Sequence, residues 1–320
     1  MQKTSTKSLI ESSLLTAIAV VLILISIYIP VFYYIGLFMW PLPLALVQIK
    51  HGYKYSITSL VATTIIILLF TDPYTAFGFA ITNGLLGIAL GYMIKKRANV
   101  FTMIFVMVII NIISLTASIK LFGLIAGQDY IKMAFEELYR SLDTAKNMYS
   151  KMGIPKETTE AIFKSIPPRE TMMMLIPTAL IFHGILSSVI TYFFAKKIYS
   201  RFGIKLEDIP KFSNWYIPAK FALTLMLLIL LGYLAAYMRL NRGEAILLNA
   251  MYLMMFVFTI NGLAALSFYL EKRGLAKSLR LLIMFFVFTS FGNLLFIVGI
   301  IDYSLNLRKL DISRLKDSPK

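Results

Sequence analysis

Three hydrogen-bonding side chains, Asn83, Asn111 and His183, stand in long apolar stretches of this 320-residue chain. Amide and imidazole groups both donate and accept hydrogen bonds, so together they could recognise a small polar ligand. Alternatively, each bonds a neighbouring helix and holds it in place, an interaction worth roughly 0.6–2 kcal/mol. The uncharged runs that carry them are residues 73–94, 98–119 and 171–195.

The elements that position these residues are apolar segments long enough to cross a membrane. Apolar residues make up 58% of the chain and charged residues 15%, and the mean hydropathy is +0.76. A soluble domain is about half apolar and a quarter charged. A bilayer core about 30 Å thick needs roughly 20 apolar residues of helix. The composition therefore excludes a soluble protein and predicts an all-α integral membrane protein. Further uncharged runs are 12–49, 55–71, 221–238, 245–270 and 281–301.

About nine transmembrane helices follow from these runs. The run 12–49 is long enough for two, and Pro30 divides it, because proline lacks a backbone donor and disfavours helix in the residue before it. Pro41 and Pro43 interrupt the second helix, so it is short, kinked or partly re-entrant, and eight spans result if it does not cross. The predicted spans are 9–29, 33–49, 55–71, 74–94, 99–122, 172–196, 219–239, 245–270 and 281–302.

The three polar side chains are predicted to lie at similar depths in the membrane. With a rise of about 1.5 Å per residue, they lie between the outer third and the midplane of spans four, five and six. If those helices adjoin, the side chains line one pocket open to the outside. Aromatic residues crowd the first outer turn, as an interfacial belt or as a stacking wall for a planar ligand. We place Tyr33, Tyr34 and Trp40 at the mouth of this pocket.

The basic residues set the expected orientation. A net charge of +16 would indicate nucleic-acid binding in a soluble protein, but here the basic residues form short clusters between apolar runs. With the N-terminus inside, the short inner segments carry 17 basic residues and the short outer loops carry 2. The expected partner is thus a lipid bilayer and not a nucleic acid. One misfit remains: nine spans place the tail outside, although it contains Arg308, Lys309, Arg314, Lys316 and Lys320.

Catalysis has no support in the sequence. The chain has no Cys, and its two histidines are His51 and His183, so thiolate chemistry and a His-based metal site within one chain are not expected. No acidic residue is predicted at mid-membrane, which argues against a carboxylate proton relay. The motifs of P-loop ATPases, HExxH zinc enzymes and GxSxG hydrolases are absent. We expect no enzyme, no metal and no cofactor.

The segment 127–170 is the longest polar stretch and is expected on the outer side. It carries an amphipathic helix that ends at Gly153 and Pro155, followed by a second short helix over 156–164. The two helices lie on the outer surface as a hairpin, or they cover the pocket as a lid. The predicted organisation is a six-span domain 1–198, an amphipathic linker 199–218, a three-span bundle 219–302 and a basic tail 303–320.

Small residues mark close helix contacts. Gly84, Gly87 and Gly91 follow one another on the fourth span, so its inner half is expected to pack tightly on another helix or on a partner. Ser13 and Ala17 form a similar pair in the first span.

Three stretches of this sequence resemble YybS-like membrane proteins, a family of unknown function from Gram-positive bacteria. They are 41–52 (PLPLALVQIKHG), 83–91 (NGLLGIALG) and 299–309 (GIIDYSLNLRK). The resemblance implies a multi-pass protein of the bacterial cytoplasmic membrane. The N-terminal part of that family is in turn similar to the S components of energy-coupling-factor vitamin transporters. That similarity implies a six-helix bundle with an outward pocket, and docking of transmembrane coupling and ATPase subunits at Ser13 and Ala17. The three further helices predicted here depart from the S-component plan.

Two functions are consistent with these observations. The first is a non-enzymatic protein that binds a small, vitamin-like molecule from the outside for uptake with partner subunits. The second is a scaffold or regulatory protein, whose glycine face over 84–91 and basic inner loops bind other membrane proteins. An independent secondary transporter is disfavoured, because buried acids and an internal repeat are not evident.

Overall fold

The structure, a computed structural model, describes residues 6–311 as helices joined by short connections. Four basic residues counted in the predicted charge distribution lie outside this range: Lys3, Arg314, Lys316 and Lys320. Residue 34 lies in a described helix, but the side chain of Tyr34 is not described. The chain divides into two compact units. Unit 1 contains the chain up to Arg169 together with Ala179–Asp208, and unit 2 contains Glu170–Thr178 and the chain from Ile209 onward.

The helices in chain order are as follows. The first eleven are α1 (Thr6–Tyr28), α2 (Tyr33–Met39), α3 (Pro41–His51), α4 (Tyr53–Leu68), α5 (Pro73–Phe79), α6 (Leu85–Lys95), α7 (Val100–Ala126), α8 (Tyr130–Lys151), α9 (Lys156–Lys164), α10 (Arg169–Met174) and α11 (Ile176–Tyr199). Unit 2 continues with α12 (Ala219–Tyr237), α13 (Gly243–Lys272), α14 (Lys277–Ser290) and α15 (Gly292–Leu305). A π-helical turn, Ala80–Gly84, joins α5 and α6 into one segment.

The all-α membrane fold is confirmed, but nine spans are not. Within residues 6–311, six helical segments are long and apolar enough to cross a bilayer, and α14 with α15 would make a seventh if they formed one span. The six are α1, the joined segment Pro73–Lys95, α7, Ile176–Phe202, α12 and α13.

The second predicted span is replaced by two short helices. The helix α2 has 7 residues and α3 has 11, and α4, at 16 residues, is shorter than the roughly 20 that a full crossing needs. Pro41 is the first residue of α3, where its missing N–H costs nothing and its fixed φ suits the helix. The proline therefore starts a new helix instead of kinking an old one.

The last predicted span, 281–302, is not one helix. The helices α14 and α15 are bent by 107° at a break of one residue. At that residue, Phe291, φ is −135° and ψ is 35°, outside the helical range. Gly292 follows, and glycine in a helix interior costs backbone entropy, so the local sequence opposes a continuous helix here.

The core of unit 1 forms where α1, α3, α4 and α5 meet around Trp40. The glycines of α6 lie directly against α3: a Cβ at Gly87 would clash with the carbonyl oxygen of Pro41, and one at Gly91 with that of Ala45. Gly84 packs against the side chains of Leu60 and Trp40. This face is occupied within the chain, which corrects the suggestion that it binds a partner. The buried apolar cluster contains Ala19, Val20, Ile23, Trp40, Leu44, Ile67 and Ala76.

Unit 2 is held together by a close crossing of α13 and α15. A Cβ at Gly262 would overlap the carbonyl oxygen of Leu295, and one at Gly299 would overlap that of Phe258. Around this crossing, the ring of Phe258 contacts the rings of Phe296 and Tyr303 edge-on. Glycine at both positions lets the two backbones approach to a distance that no larger residue allows.

Candidate functional site

Unit 1 contains a cavity of about 430 Å³, lined by residues of α1, α2, α5, the π-helical turn, α7, α8 and α11. It brings together Asn83, Asn111, His183 and Tyr33, four of the residues predicted for the pocket. The remaining lining residues are Ile27, Leu37, Tyr74, Thr75, Gly78, Phe79, Thr82, Leu115, Ser118 and Tyr130.

Asn83 reaches the cavity from the π-helical turn. A π turn contains one residue more than an α turn, which changes the direction of the side chains around it and often marks a functional site. The Asn83 amide nitrogen donates to Thr82 Oγ1 at 3.1 Å, and this hydroxyl donates to the carbonyl oxygen of Gly78 at 2.7 Å. Among the described residues, the Asn83 side chain has no other hydrogen bond, so its carbonyl oxygen is available to a ligand.

Asn111 is partly committed to structure. Its amide nitrogen donates to the carbonyl oxygen of Met107 and to Ser188 Oγ, both at 3.1 Å, and the second bond ties α7 to α11. Both N–H groups of the amide are therefore used, and the carbonyl oxygen remains for the cavity. Both predicted roles, helix contact and pocket lining, apply to this residue.

His183 is the least constrained of the three. It lies on α11, is exposed, and its side chain forms no hydrogen bond within the described part of the chain. A neutral imidazole offers one donor and one acceptor, and which nitrogen carries the proton adapts to what it meets. The cavity wall thus contains a donor and an acceptor on one ring without competing protein partners.

Aromatic rings form one part of the cavity wall. Tyr74 of α5 packs against Phe122 with ring centroids 4.5 Å apart, and Phe122 packs against Tyr130, at 5.1 Å. Tyr130 is the first residue of α8, which Asp129 caps by accepting from the backbone N–H of residues 131 and 132. The polar segment 127–170 therefore contributes directly to the cavity wall.

Sequence reasoning missed Tyr74 and Tyr130. Each lies within two residues of a helix-capping aspartate, Asp72 or Asp129, and that position was the available signal. The helices of the 127–170 segment were predicted closely: α8 ends at Lys151, before Gly153, and α9 spans Lys156–Lys164.

Trp40 does not lie at the mouth of the cavity, so that prediction is wrong. Its side chain is 0% exposed and belongs to the core cluster. Its ring meets that of Phe79 edge-on, with the ring centroids 6.2 Å apart. The change from α2 to α3 at this residue directs the ring inward. Its indole N–H has no hydrogen-bond partner within residues 6–311. Tyr33 does line the cavity and is 42% exposed.

Ser13 and Ala17 lie on the exposed side of α1. Large apolar side chains surround them, including Leu9, Leu14 and Ile18. This surface is open to lipid or to another helix.

Unit 2 contains a second, quite different polar group of residues. The Arg308 guanidinium binds both carboxylate oxygens of Asp302 at 2.8–3.2 Å and donates to the carbonyl oxygen of Ser213 at 2.8 Å. It also donates to Asn261 Oδ1 at 3.0 Å, and the Asn261 amide nitrogen donates to Gly299 O and Asp302 Oδ2. Arg308 is 1% exposed and Asp302 is 6% exposed. We call Asn261, Asp302, Arg308 and Ser213 the arginine cluster.

The arginine cluster joins the end of α15 to the linker that precedes α12. Arg308 bonds both Asp302 of α15 and the carbonyl oxygen of Ser213 in that linker. Asn249, also in unit 2, bonds Thr178 and the carbonyl oxygens of Met174 and Ala245, and so ties α13 to the segment 174–178. Within residues 6–311, no group of three His, Cys, Asp or Glu side chains could hold a metal ion.

Apolar helices of membrane-spanning length and a polar-lined cavity define a multi-pass α-helical membrane protein. The chain belongs to the family described as "Predicted membrane protein (DUF2232)", which matches residues 17–303. It is similar to the "Uncharacterized protein YybS" of Bacillus subtilis (strain 168), with 24% identity over 311 residues, 95% of this chain and 98% of that one. No solved structure matches the chain. The family resemblance is thereby confirmed, whereas a relationship to S components is not shown.

Proposed function

We propose that this protein binds a small molecule in the cavity of unit 1 and performs no catalysis on it. The observation that carries the proposal is the convergence of Asn83, Asn111 and His183, from three separate segments, on one cavity of about 430 Å³. Small-molecule sites are commonly 300–1,000 Å³, with a few polar groups in a largely apolar wall.

The free hydrogen-bonding atoms define the ligand. The carbonyl oxygens of Asn83 and Asn111 accept hydrogen bonds, and the His183 ring donates one and accepts another. None of the lining side chains in the described cavity is an acid, a lysine or an arginine. A buried charge without a partner is costly, so the ligand is neutral where it contacts this wall. The rings of Tyr74 and Tyr130 favour a planar, vitamin-like molecule that carries N–H or O–H groups.

The orientation follows from charge. The excess of Lys and Arg on segments on the side of the N-terminus supports an N-terminus inside the cell and a cavity that opens outside. Uptake would then need partner subunits, a transmembrane coupling protein and an ATPase, because the chain lacks a nucleotide-binding motif. The small residues Ser13 and Ala17, exposed on α1, support a docking surface for such a subunit.

The test is a thermal-shift screen of the purified full chain against neutral, planar, vitamin-like compounds. We expect a stabilising ligand whose shift falls in Asn83→Ala and His183→Ala but persists in Ser13→Leu, which changes the exposed face of α1. A shift that is equal in all three variants, or the absence of any shift across the panel, would contradict the proposal.

A second candidate function is a scaffold that binds other membrane proteins through the α1 surface. The exposure of Ser13 and Ala17 among large apolar side chains favours it. Crosslinking from native membranes separates the two functions. Coupling and ATPase subunits that crosslink to α1 support uptake, and unrelated membrane proteins support the scaffold.

A further inference from the structure

A groove of about 650 Å³ lies between α13, α14 and the short helical turn Phe212–Asn214, all within unit 2. It shares Ser213 with the arginine cluster, but Asn261, Asp302 and Arg308 do not line it. Its walls come from two consecutive helices joined by residues 273–276.

The two helices give the groove a polar end and an apolar end. On α13, Glu271, Ser267 and Leu263 follow at four-residue intervals, so charge gives way to apolar surface with distance from the connection. On α14, Lys277 and Arg280 lie next to the connection, and Met284 lies one turn further. Residues three and four apart share a helix face, so each helix presents its series along one wall.

The polar end is positively charged. Arg280 lies 3.1 Å and Lys211 3.7 Å from the Glu271 carboxylate, so one acid faces these two bases. Lys277 adds a third base to the lining, which leaves an excess of positive charge. The Arg280 side chain is 19% exposed, and its Nε–H has no partner among the described residues.

We propose that this groove binds one anionic phospholipid. The phosphate lies at Lys211, Lys277 and Arg280, and an acyl chain lies along Leu263, Leu281 and Met284. Cationic pockets between transmembrane helices bind phosphate headgroups in this way. A soluble anion accounts for the basic residues but leaves the apolar half of the groove empty. The chemistry of the whole groove therefore fits a lipid that is already in the bilayer.

The experiment is native mass spectrometry of the full chain in detergent, titrated with phosphatidylglycerol and, in parallel, with phosphatidylcholine of the same acyl chains. We expect one phosphatidylglycerol to bind at least about tenfold more tightly than phosphatidylcholine. In Lys277→Gln/Arg280→Gln this preference falls about tenfold. In Met284→Trp, which fills the apolar end, both lipids bind more weakly.

The control is Lys272→Gln/Arg273→Gln, which removes the same charge from exposed residues beside the groove. We expect it to bind phosphatidylglycerol like the wild type. An equal loss in both double variants would overturn the proposal, since it would show attraction to net charge alone. Competition by inorganic phosphate or glycerol phosphate at concentrations comparable to those of the lipid would also overturn it, in favour of a soluble anion.

Discussion

The cavity of unit 1 and the arginine cluster of unit 2 use similar polar side chains in opposite ways. In the cavity, His183 has no hydrogen bond among the described residues and Asn83 has one, to its neighbour Thr82. In the cluster, Arg308 and Asp302 bond each other, and both also bond Asn261. Side chains whose hydrogen-bonding atoms all have protein partners stabilise the fold. Hydrogen-bonding atoms beside a cavity that have no protein partner remain available to a ligand. The number of unused hydrogen-bonding atoms, rather than residue type, separates the two roles.

The largest effect is expected in the cluster. Asp302→Ala leaves the Arg308 guanidinium buried without its counter-ion, and breaking such a pair costs about 3–5 kcal/mol. Denaturant unfolding in mixed micelles should show this loss. The double variant Asp302→Ala/Arg308→Met removes both charges and should recover much of the stability. If the single variant is as stable as the wild type, the cluster is not the saturated, structural group described above.

A smaller loss is expected at Asn249. Its side chain accepts from the Thr178 hydroxyl at 2.6 Å and donates to the carbonyl oxygens of Met174 and Ala245. Asn249→Ala leaves these groups without their partner, at a cost of about 1–3 kcal/mol. The same unfolding assay measures this loss of stability. A smaller loss for Asn249→Ala than for Asn83→Ala would contradict the comparison, because the cavity residue would then contribute more to stability than the helix contact of unit 2.

Asn83→Ala should change stability by less than about 1 kcal/mol, because it removes a single bond to an adjacent side chain. It should nevertheless abolish most of the thermal shift that a cavity ligand produces.

Asn111→Ala tests a residue that both lines the cavity and bonds another helix. It breaks the bond to Ser188 and should cost about 0.6–1.7 kcal/mol of stability. An Asn83 variant as unstable as the Asp302 variant would assign Asn83 to structure.

The smallest effect concerns the carboxylate that caps α5, at the edge of the cavity. The hydroxyl and backbone N–H of Thr75 bond Asp72 at 2.6 and 2.9 Å, and the hydroxyl bond is the main cause that lowers the pKa of this carboxyl. A lowered pKa gives stability above the unfolded value near 4, which is lost as the pH falls through the folded value. We expect less than about 1 kcal/mol, since Asp72 is exposed and screened. Unfolding of Asp72→Asn should lack this acid dependence.

Local signals in the sequence predicted much of this structure. Periodicity with Gly153 and Pro155 located α8 and α9, and depth along the helices brought Asn83, Asn111 and His183 to one level. These features depend on spacing within a single segment.

The errors involve contacts distant in sequence. The burial of Trp40 depends on α1, α4 and α5, and the pairing of Arg308 with Ser213 joins residues 95 positions apart. The bend at Phe291 was missed because residues 281–301 carry no charge, so the hydropathy pattern continues across it. Hydropathy shows that such a segment lies in lipid, but does not show whether it is straight.

The bend at Phe291 also affects how unit 2 is expected to be threaded through a membrane. A helix pair that traversed the bilayer would separate its ends by about 30 Å. Instead, the Arg308 side chain contacts Ser213, and Lys211 pairs with Glu271 at the end of α13. In unit 2, α12 and α13 are each long and apolar enough to cross a bilayer, and the two ends of the bent pair α14–α15 lie near the same linker, as expected for a re-entrant pair. A re-entrant pair would place Arg308 and Lys309 on the side of the basic linker, where a nine-span topology would not.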